Sequence, residues 1–261
     1  MQLLKPLALA ALALSPFTLL AQDAAQRGLE IAQEADRRDL GWGDSSTTLT
    51  MTLRNKQGQE STREMRSRSL EVADDGDKSL IIFDEPKDVR GTALLTFSHK
   101  TGNDDQWLYL PALKRTKRIA SNNKSGPFMG SEFAYEDISS QEVEEYTYKY
   151  LRDEEYEGTP CFVIERYPTD ENSGYTRQIT WIDAERYIPL RVEFIDRKDS
   201  HLKTLTMHDY KQYKDKHWRP ARLEMENLQT GKSTTLSFAE YQFDQGFTEA
   251  DFDQAALARA R

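Results

Sequence analysis

The chain has very little of what covalent or metal-centred chemistry needs. Its 261 residues include one cysteine, Cys161, so no disulfide within the chain is available and stability must come from a packed core. Cys161 lies in CFVIERY, an alternating run that is typical of a strand. We therefore predict a buried, inert thiol at this position rather than a nucleophile.

Catalytic and metal-binding motifs are also missing. The four histidines have no metal-ligand spacing, and no nucleophile elbow, phosphate loop or Cys–His pair occurs. These histidines are His99, His201, His208 and His217. The carboxylates of residues 141–145 are typical of a solvated charged surface. The sequence therefore predicts a protein that is not an enzyme and has no cofactor or metal. A lipid-acting hydrolase with scattered catalytic residues is the alternative.

The chain has a deficit of positive charge. Its 35 Lys and Arg residues face 44 Asp and Glu residues, which gives a formal net charge of −9. Nucleic-acid-binding proteins present clustered positive charge to the phosphate backbone, and this composition does not. We expect no nucleic-acid partner.

A long apolar run occurs only at the start of the chain. Lys5 is followed by the apolar residues 7–20, and Ala21 closes the run before the polar Gln22. This layout is typical of a secretory signal peptide, and the run is short and Ala-rich for a membrane-spanning helix. We predict cleavage after Ala21, which leaves one periplasmic domain over residues 22–261. A retained N-terminal anchor is the competing interpretation.

The periodicity of the remaining chain predicts mainly β structure with a few helices. Residues 22–40 favour a helix that ends before Gly41, and Thr248 with Asp251 begins a short one near the end. Between them, alternating runs joined by short turns predict roughly ten antiparallel strands. So many strands with so few helices indicate a strongly curved sheet or an open barrel.

The stretch 106–138 carries the candidate binding features. Apolar residues on both faces of neighbouring strands would form a groove for a ligand, or else a well-packed core. These predicted groove residues are Leu94, Leu95, Trp107, Leu108, Tyr109 and Leu110. Four cations follow, Lys114, Arg115, Lys117 and Arg118. We predict that this basic lip meets an acidic lipid headgroup or an acidic partner, although a solvated hairpin is the alternative.

Beyond the basic lip lies a loop without regular period. Phe128 and Met129 stand between Gly126-Pro127 and Gly130-Ser131, so the chain can bend on either side of an apolar tip. Phe133 and Tyr135 continue its aromatic character. We predict that these four residues form a lid over the mouth of the groove that shifts when a lipid enters. Residues of a packed core are the alternative.

Several segments, in order, resemble the outer-membrane lipoprotein-sorting protein family, relatives of the periplasmic carrier LolA. They are TMTLRNKQGQESTREMRSRSL, DEPKDVRGTALLTF, QWLYLPALKRTKRI, GSEFAYEDI and WIDAERYIPLRVEFID. The resemblance implies an incomplete antiparallel barrel, or strongly curved sheet, whose concave apolar face is capped by helices and loops and shelters acyl chains. It also implies a monomeric carrier of a lipid, lipoprotein or other acylated molecule, working beside an inner-membrane RND-type transporter. An adhesin or scaffold of the cell envelope is a further alternative.

Overall fold

The computed structural model describes residues 16–259. Most of the predicted signal peptide, residues 1–15, lies outside the described residues. The predicted N-terminal helix is present, but it begins earlier, since helix α1 spans Pro16–Asp39. The predicted capping at Thr248 is confirmed: the Asp251 carboxylate accepts a hydrogen bond from the Thr248 backbone N–H at 2.8 Å, in the turn that precedes the last helix. No helix in the described part of the chain is both long and apolar enough to cross a bilayer.

The described residues form three α-helices, fourteen strands and several 3-10 turns. The other two helices are α2 (Tyr135–Ile138) and α3 (Gln254–Arg259). The strands are β1 (Asp44–Arg54), β2 (Glu60–Leu70), β3 (Lys78–Glu85), β4 (Ala93–Phe97), β5 (Asp105–Leu110), β6 (Arg115–Ile119), β7 (Tyr146–Tyr156), β8 (Thr159–Pro168), β9 (Tyr175–Asp183), β10 (Pro189–Asp196), β11 (His201–Tyr213), β12 (His217–Asn227), β13 (Lys232–Phe238) and β14 (Gln242–Phe243).

The strands form one antiparallel sheet. Its order is β6-β5-β4-β3-β2-β1-β13-β12-β11-β10-β9-β8-β7, with β14 paired to β1, and β6 does not pair with β7. The predicted incomplete barrel is confirmed. The predicted count of about ten strands was too low, because β6, β7, β9 and β14 were not recognised. Strands β6 and β7 are the two ends of the sheet, and their charged sequences lack a clean apolar alternation.

One face of the sheet carries most of the core. A single cluster of buried residues joins strands from β6 around to β9, which requires the sheet to curl, so this face is the concave one. Its sheet residues are Leu49, Met51, Met65, Phe83, Leu94, Leu108, Ile119, Tyr175, Val192, Phe194, Leu205, Met225 and Leu236. The pairing register places them on the same face. Met65 pairs with Phe83; two residues earlier on β3, and so on the same face, Ile81 pairs with Leu94, which pairs with Leu108.

Helices cover parts of both faces. Helix α1 lies on the concave side of β7 to β9, where Ile31 packs with Tyr148, Ile164 and Ile182. Ile164 is on the concave face because it pairs with Thr180, which in turn pairs with Val192. On the convex side of β3 to β5, the C-terminal segment buries Phe252 and Leu257 against the sheet.

Candidate functional site

Residues 120–138, here called the plug segment, leave β6 and enter the concave face. Phe128 and Phe133 are 1% and 2% exposed and belong to the concave cluster. The Phe128 ring centroid lies 5.8 Å from that of Phe83 and 5.7 Å from that of Tyr135. The Phe128 N–H donates to the Phe133 carbonyl at 2.7 Å, which closes a tight turn through Met129, whose φ is +50°. The turn points both phenylalanines inward.

The four predicted lid residues therefore lie inside the curled sheet. Met129 and Tyr135 are half-buried against the same cluster that holds Phe128 and Phe133. Tertiary packing takes the Phe128 ring into the concave core. The segment nevertheless contributes no strand to the sheet, so its packing is that of a closed cover. Whether it opens as a lid stays a prediction.

A buried ion pair ties the plug segment to the sheet. The Lys203 Nζ on β11 lies 2.6 Å from the Asp137 Oδ2 of the plug segment, and the two side chains are 4% and 5% exposed. Lys203 also donates to the Glu132 carbonyl at 2.8 Å. The hydroxyl of Tyr175 on β9 donates to the Asp137 Oδ1 at 2.9 Å. Each charge therefore has further polar partners, as a buried charge requires.

Further polar contacts surround this pair. The Arg63 guanidinium on β2 donates to the Met129 carbonyl. On the other side, the Asn227 amide donates to the Glu132 carboxylate at 2.7 Å, and the Glu132 N–H donates to the Thr234 hydroxyl at 3.0 Å. The Gln106 amide on β5 also donates to the Tyr135 carbonyl at 3.0 Å. Six strands, β2, β5, β9, β11, β12 and β13, thus contribute polar ties to one segment, and most of these ties end on its backbone or on Glu132 and Asp137.

Sequence reasoning missed these polar ties, but one signal was present. Lys203 alternates with Leu205 and Met207 along β11, so a cation occupies a position where the pattern calls for an apolar side chain. A cation at an inward position needs a buried carboxylate nearby. Asp137, 66 positions away in sequence, gave no sign of being that partner.

The six predicted groove residues divide between the two faces. Leu94 and Leu108 lie in the concave cluster, and Leu110 packs against it. The other three, Leu95, Trp107 and Tyr109, lie on the convex side with Phe252 and Leu257. The prediction that all six line one groove is therefore corrected: successive residues of a strand point to opposite faces, and the C-terminal segment already covers the convex one.

The predicted basic lip forms the end of the β5–β6 hairpin. Lys114 lies in the turn, with a φ of +47°, and Arg115, Lys117 and Arg118 follow on β6. All four residues are exposed, and Arg118 pairs with Asp105. The contact of this lip with an acidic headgroup or partner stays a prediction.

A polar cavity of about 250 Å³ opens beside the plug segment. Its lining includes Lys124, Glu136, Glu145 and Asp170, and Lys124 pairs with Asp170 at 2.7 Å. Burial raises the pKa of Glu145 to about 7 and also raises the pKa of Glu136. Such a lining does not suit an acyl chain.

Other chemistry-bearing residues are placed away from this site. Cys161 is 1% exposed, and burial raises the pKa of its thiol to about 11, so the predicted buried thiol is confirmed. Between residues 16 and 259, no group of three or more His, Cys, Asp or Glu side chains is arranged to hold a metal ion.

A single open antiparallel sheet, curled around an apolar face and covered by a helix and a plug segment, defines a LolA-like protein. The comparisons agree. The chain superposes with a TM-score of 0.89 on an outer membrane lipoprotein-sorting protein domain from Vibrio parahaemolyticus, at 59% identity, covering 90% of this chain and all of that one. A DUF1329 family protein from Desulfovibrio piger matches at 30% identity with a TM-score of 0.85, covering 90% of this chain and 99% of that one. The chain belongs to this outer-membrane lipoprotein-sorting family.

Two further comparisons complete the assignment. A LolA superfamily protein from Nitrosomonas europaea has the same fold, at 20% identity and a TM-score of 0.70, covering 89% of this chain and 99% of that one. A family model described as "-like: Uncharacterized protein" matches residues 75–259. No curated protein matches the sequence.

Proposed function

We propose that the protein is a periplasmic carrier that shelters the acyl chains of a lipid, a lipoprotein or another acylated molecule. The observation that carries this proposal is the plug segment: an apolar concave face is covered by a segment that contributes no strand, rather than by further sheet. The proposal is supported by the lipoprotein-sorting description of the Vibrio parahaemolyticus relative.

The physical need for such a carrier is large. Moving an acyl chain through water exposes its methylenes at about 0.8 kcal/mol each, so a chain of about sixteen carbons costs on the order of 12 kcal/mol without shelter. The concave face offers leucine, isoleucine, methionine, valine, phenylalanine and tyrosine side chains contributed by eleven strands, from β1 to β6 and from β9 to β13. With Phe128 and Phe133 withdrawn, these side chains would line a groove open to an acyl chain.

The way the plug segment is held supports its movement. A core that stays closed gains nothing from the buried pair of Lys203 and Asp137, because well-packed apolar residues in place of such a pair are often equally or more stable. A segment that opens must return to one closed position, and directional hydrogen bonds and ion pairs specify that position. We infer that the ties to Asp137, Glu132 and Met129 define the closed state, and that an acyl chain replaces the phenylalanines in the open one.

A periplasmic carrier also needs to be exported and to receive its cargo from a partner. We propose that residues 1–21 direct export and are removed, and that the mature monomer receives its cargo beside an inner-membrane transporter of the RND type. Intact-mass measurement of periplasmic material should show a chain that begins at Gln22. Protein that retains Met1, or that is released only by detergent, would contradict a soluble carrier.

Cargo binding is tested by native mass spectrometry of protein purified without detergent from its own host. The expected result is a bound species of lipid mass, and the delipidated protein should bind a fluorescent fatty acid that the extracted lipid displaces. Protein that is free of lipid and does not bind the probe would overturn the proposal. Turnover of a panel of esters by the same preparation would instead assign the site to a hydrolase.

A further inference from the structure

The end of the β5–β6 hairpin exposes an apolar side chain. Leu113 is 68% exposed, more than the other two exposed large apolar residues of the described chain, Leu40 at 44% and Leu228 at 49%. It follows Pro111 in a 3-10 turn, and residues 112–115 are all exposed. Strand β6 is the end of the sheet, so no neighbouring strand shields the outer side of this hairpin.

The same tip carries positive charge that the protein does not neutralise. Among the described residues, no carboxylate lies within 4.0 Å of the side-chain nitrogens of Lys114, Arg115 or Lys117, whereas Arg118 pairs with Asp105. The neighbouring turns of the described chain each carry a single unpaired cation, Lys56 and Lys87, beside an arginine that is paired: Arg54 with Glu60 and Arg90 with Glu85. In a chain of net charge −9, three adjacent free cations are a local exception.

An exposed leucine surrounded by free cations fits the surface of an anionic bilayer. The leucine can enter the boundary between headgroups and acyl chains, and each cation can meet a phosphate group. An acidic protein strand added to β6 would pair with the strand backbone and would not require an apolar residue at the hairpin tip. The combination of Leu113 with the three cations therefore favours a lipid surface over a protein partner.

We propose that the β5–β6 hairpin tip docks the protein on bilayers that contain anionic phospholipids. Leu113 inserts into the interface, and Lys114, Arg115 and Lys117 bind lipid phosphates. The plug segment begins at the other end of β6, after Ile119, which pairs with Gln106 near the start of β5. This surface is separate from the concave face and does not depend on acyl-chain binding there.

The test is co-sedimentation with vesicles of phosphatidylcholine, alone or mixed with phosphatidylglycerol. The unmodified protein should partition onto the mixed vesicles, and salt should weaken the binding. Leu113→Ser should lower the partition coefficient about tenfold. Lys114→Gln combined with Arg115→Gln and Lys117→Gln should lower it by more than about tenfold on mixed vesicles only. The matched controls are Leu40→Ser, an exposed leucine before β1 at the opposite end of the strands, and Lys211→Gln.

The outcomes separate the alternatives. Melting temperature and fatty-acid binding without vesicles should stay unchanged in both tip variants, since the substituted side chains are exposed. Equal partition of the tip variants and the controls, or no vesicle binding by the unmodified protein, would overturn the proposal. Retention on polyglutamate without any binding to mixed vesicles would assign the cations to an acidic protein partner and would equally overturn it.

Discussion

The plug segment and helix α1 cover the same face of one sheet, but they are held there differently. Helix α1 approaches the sheet backbone at Gly28, where an added Cβ would lie 2.7 Å from the Tyr150 nitrogen. Arg27 stacks over the Tyr150 ring at 4.3 Å, and Ile31 completes an apolar contact. The plug segment is instead tied through side chains from six strands. A close backbone contact leaves a helix no second position, whereas side-chain ties can break and reform. This difference supports the proposal that α1 is the fixed cover and the plug segment the movable one.

The largest effect should come from breaking the buried ion pair. Lys203→Met leaves the Asp137 carboxylate buried without its cation, so it should lower the free energy of unfolding by about 3 to 5 kcal/mol. Adding Asp137→Asn removes the stranded charge while keeping an acceptor for the Tyr175 hydroxyl, and should restore most of the loss. Chemical denaturation of both variants measures this.

The double variant also tests the role of the ties. Without directional ties the closed state is less favoured, so a fluorescent fatty acid should bind more tightly than it binds the unmodified protein. A double variant that is as unstable as Lys203→Met, with unchanged fatty-acid affinity, would make the pair a structural part of the core.

Removing the Phe128 ring should separate the free and the ligand-bound states. Phe128→Ala empties a fully buried site and should destabilise the ligand-free protein by about 3 kcal/mol. If an acyl chain displaces this ring, the variant should lose much less stability when the ligand is saturating. The matched control is Phe252→Ala, equally buried on the convex side, whose loss should be the same with and without ligand. Equal ligand dependence in both variants would contradict a movable plug segment.

The sequence predicted the sheet better than the site. Strands β10 to β13 alternate cleanly, because one of their faces meets the concave core. Strands β6 and β7 were not predicted, because these end strands carry charge on both faces and lack an apolar alternation. The ties between Asp137 and Lys203 or Tyr175 join residues that are far apart in sequence, and the curl of the sheet alone brings them together. The alternation along β11 shows that the cation Lys203 occupies an inward position, but it cannot identify Asp137 as its partner.

The fixed cover should respond in the opposite way to the plug segment. Gly28→Ala places a methyl group against the backbone of Lys149 and Tyr150, so the strand or the helix must shift. We expect a loss of about 1 to 3 kcal/mol, typical of overpacking. If α1 stays in place when cargo binds, as proposed, this loss should not depend on ligand. Thermal unfolding with and without fatty acid measures it, and Ala25→Ser on the exposed side of α1 is the control. A loss that disappears on ligand binding would mean that α1 moves as well.

The smallest effect concerns buried carboxyl groups in and beside residues 139–145, which join the plug segment to β7. Glu145 belongs to this connection, and Asp77, just before β3, accepts a hydrogen bond from the Ser140 hydroxyl at 3.5 Å. Burial raises the pKa of Asp77 and that of Glu145 to about 7, with neighbouring carboxylates contributing. A raised pKa means that the folded state favours the neutral acid, so stability is fully present below about pH 4 and is lost as pH rises toward 7. Asp77→Asn and Glu145→Gln keep an acceptor oxygen without the charge. Each should stabilise the protein by on the order of 1 kcal/mol at pH 8 and have little effect at pH 4. Denaturation at both pH values measures this, with exposed Glu144→Gln as the control.

Because residues 139–145 join the plug segment to β7 beside α1, a gain in stability at pH 8 accompanied by weaker fatty-acid binding would show that these charges favour opening.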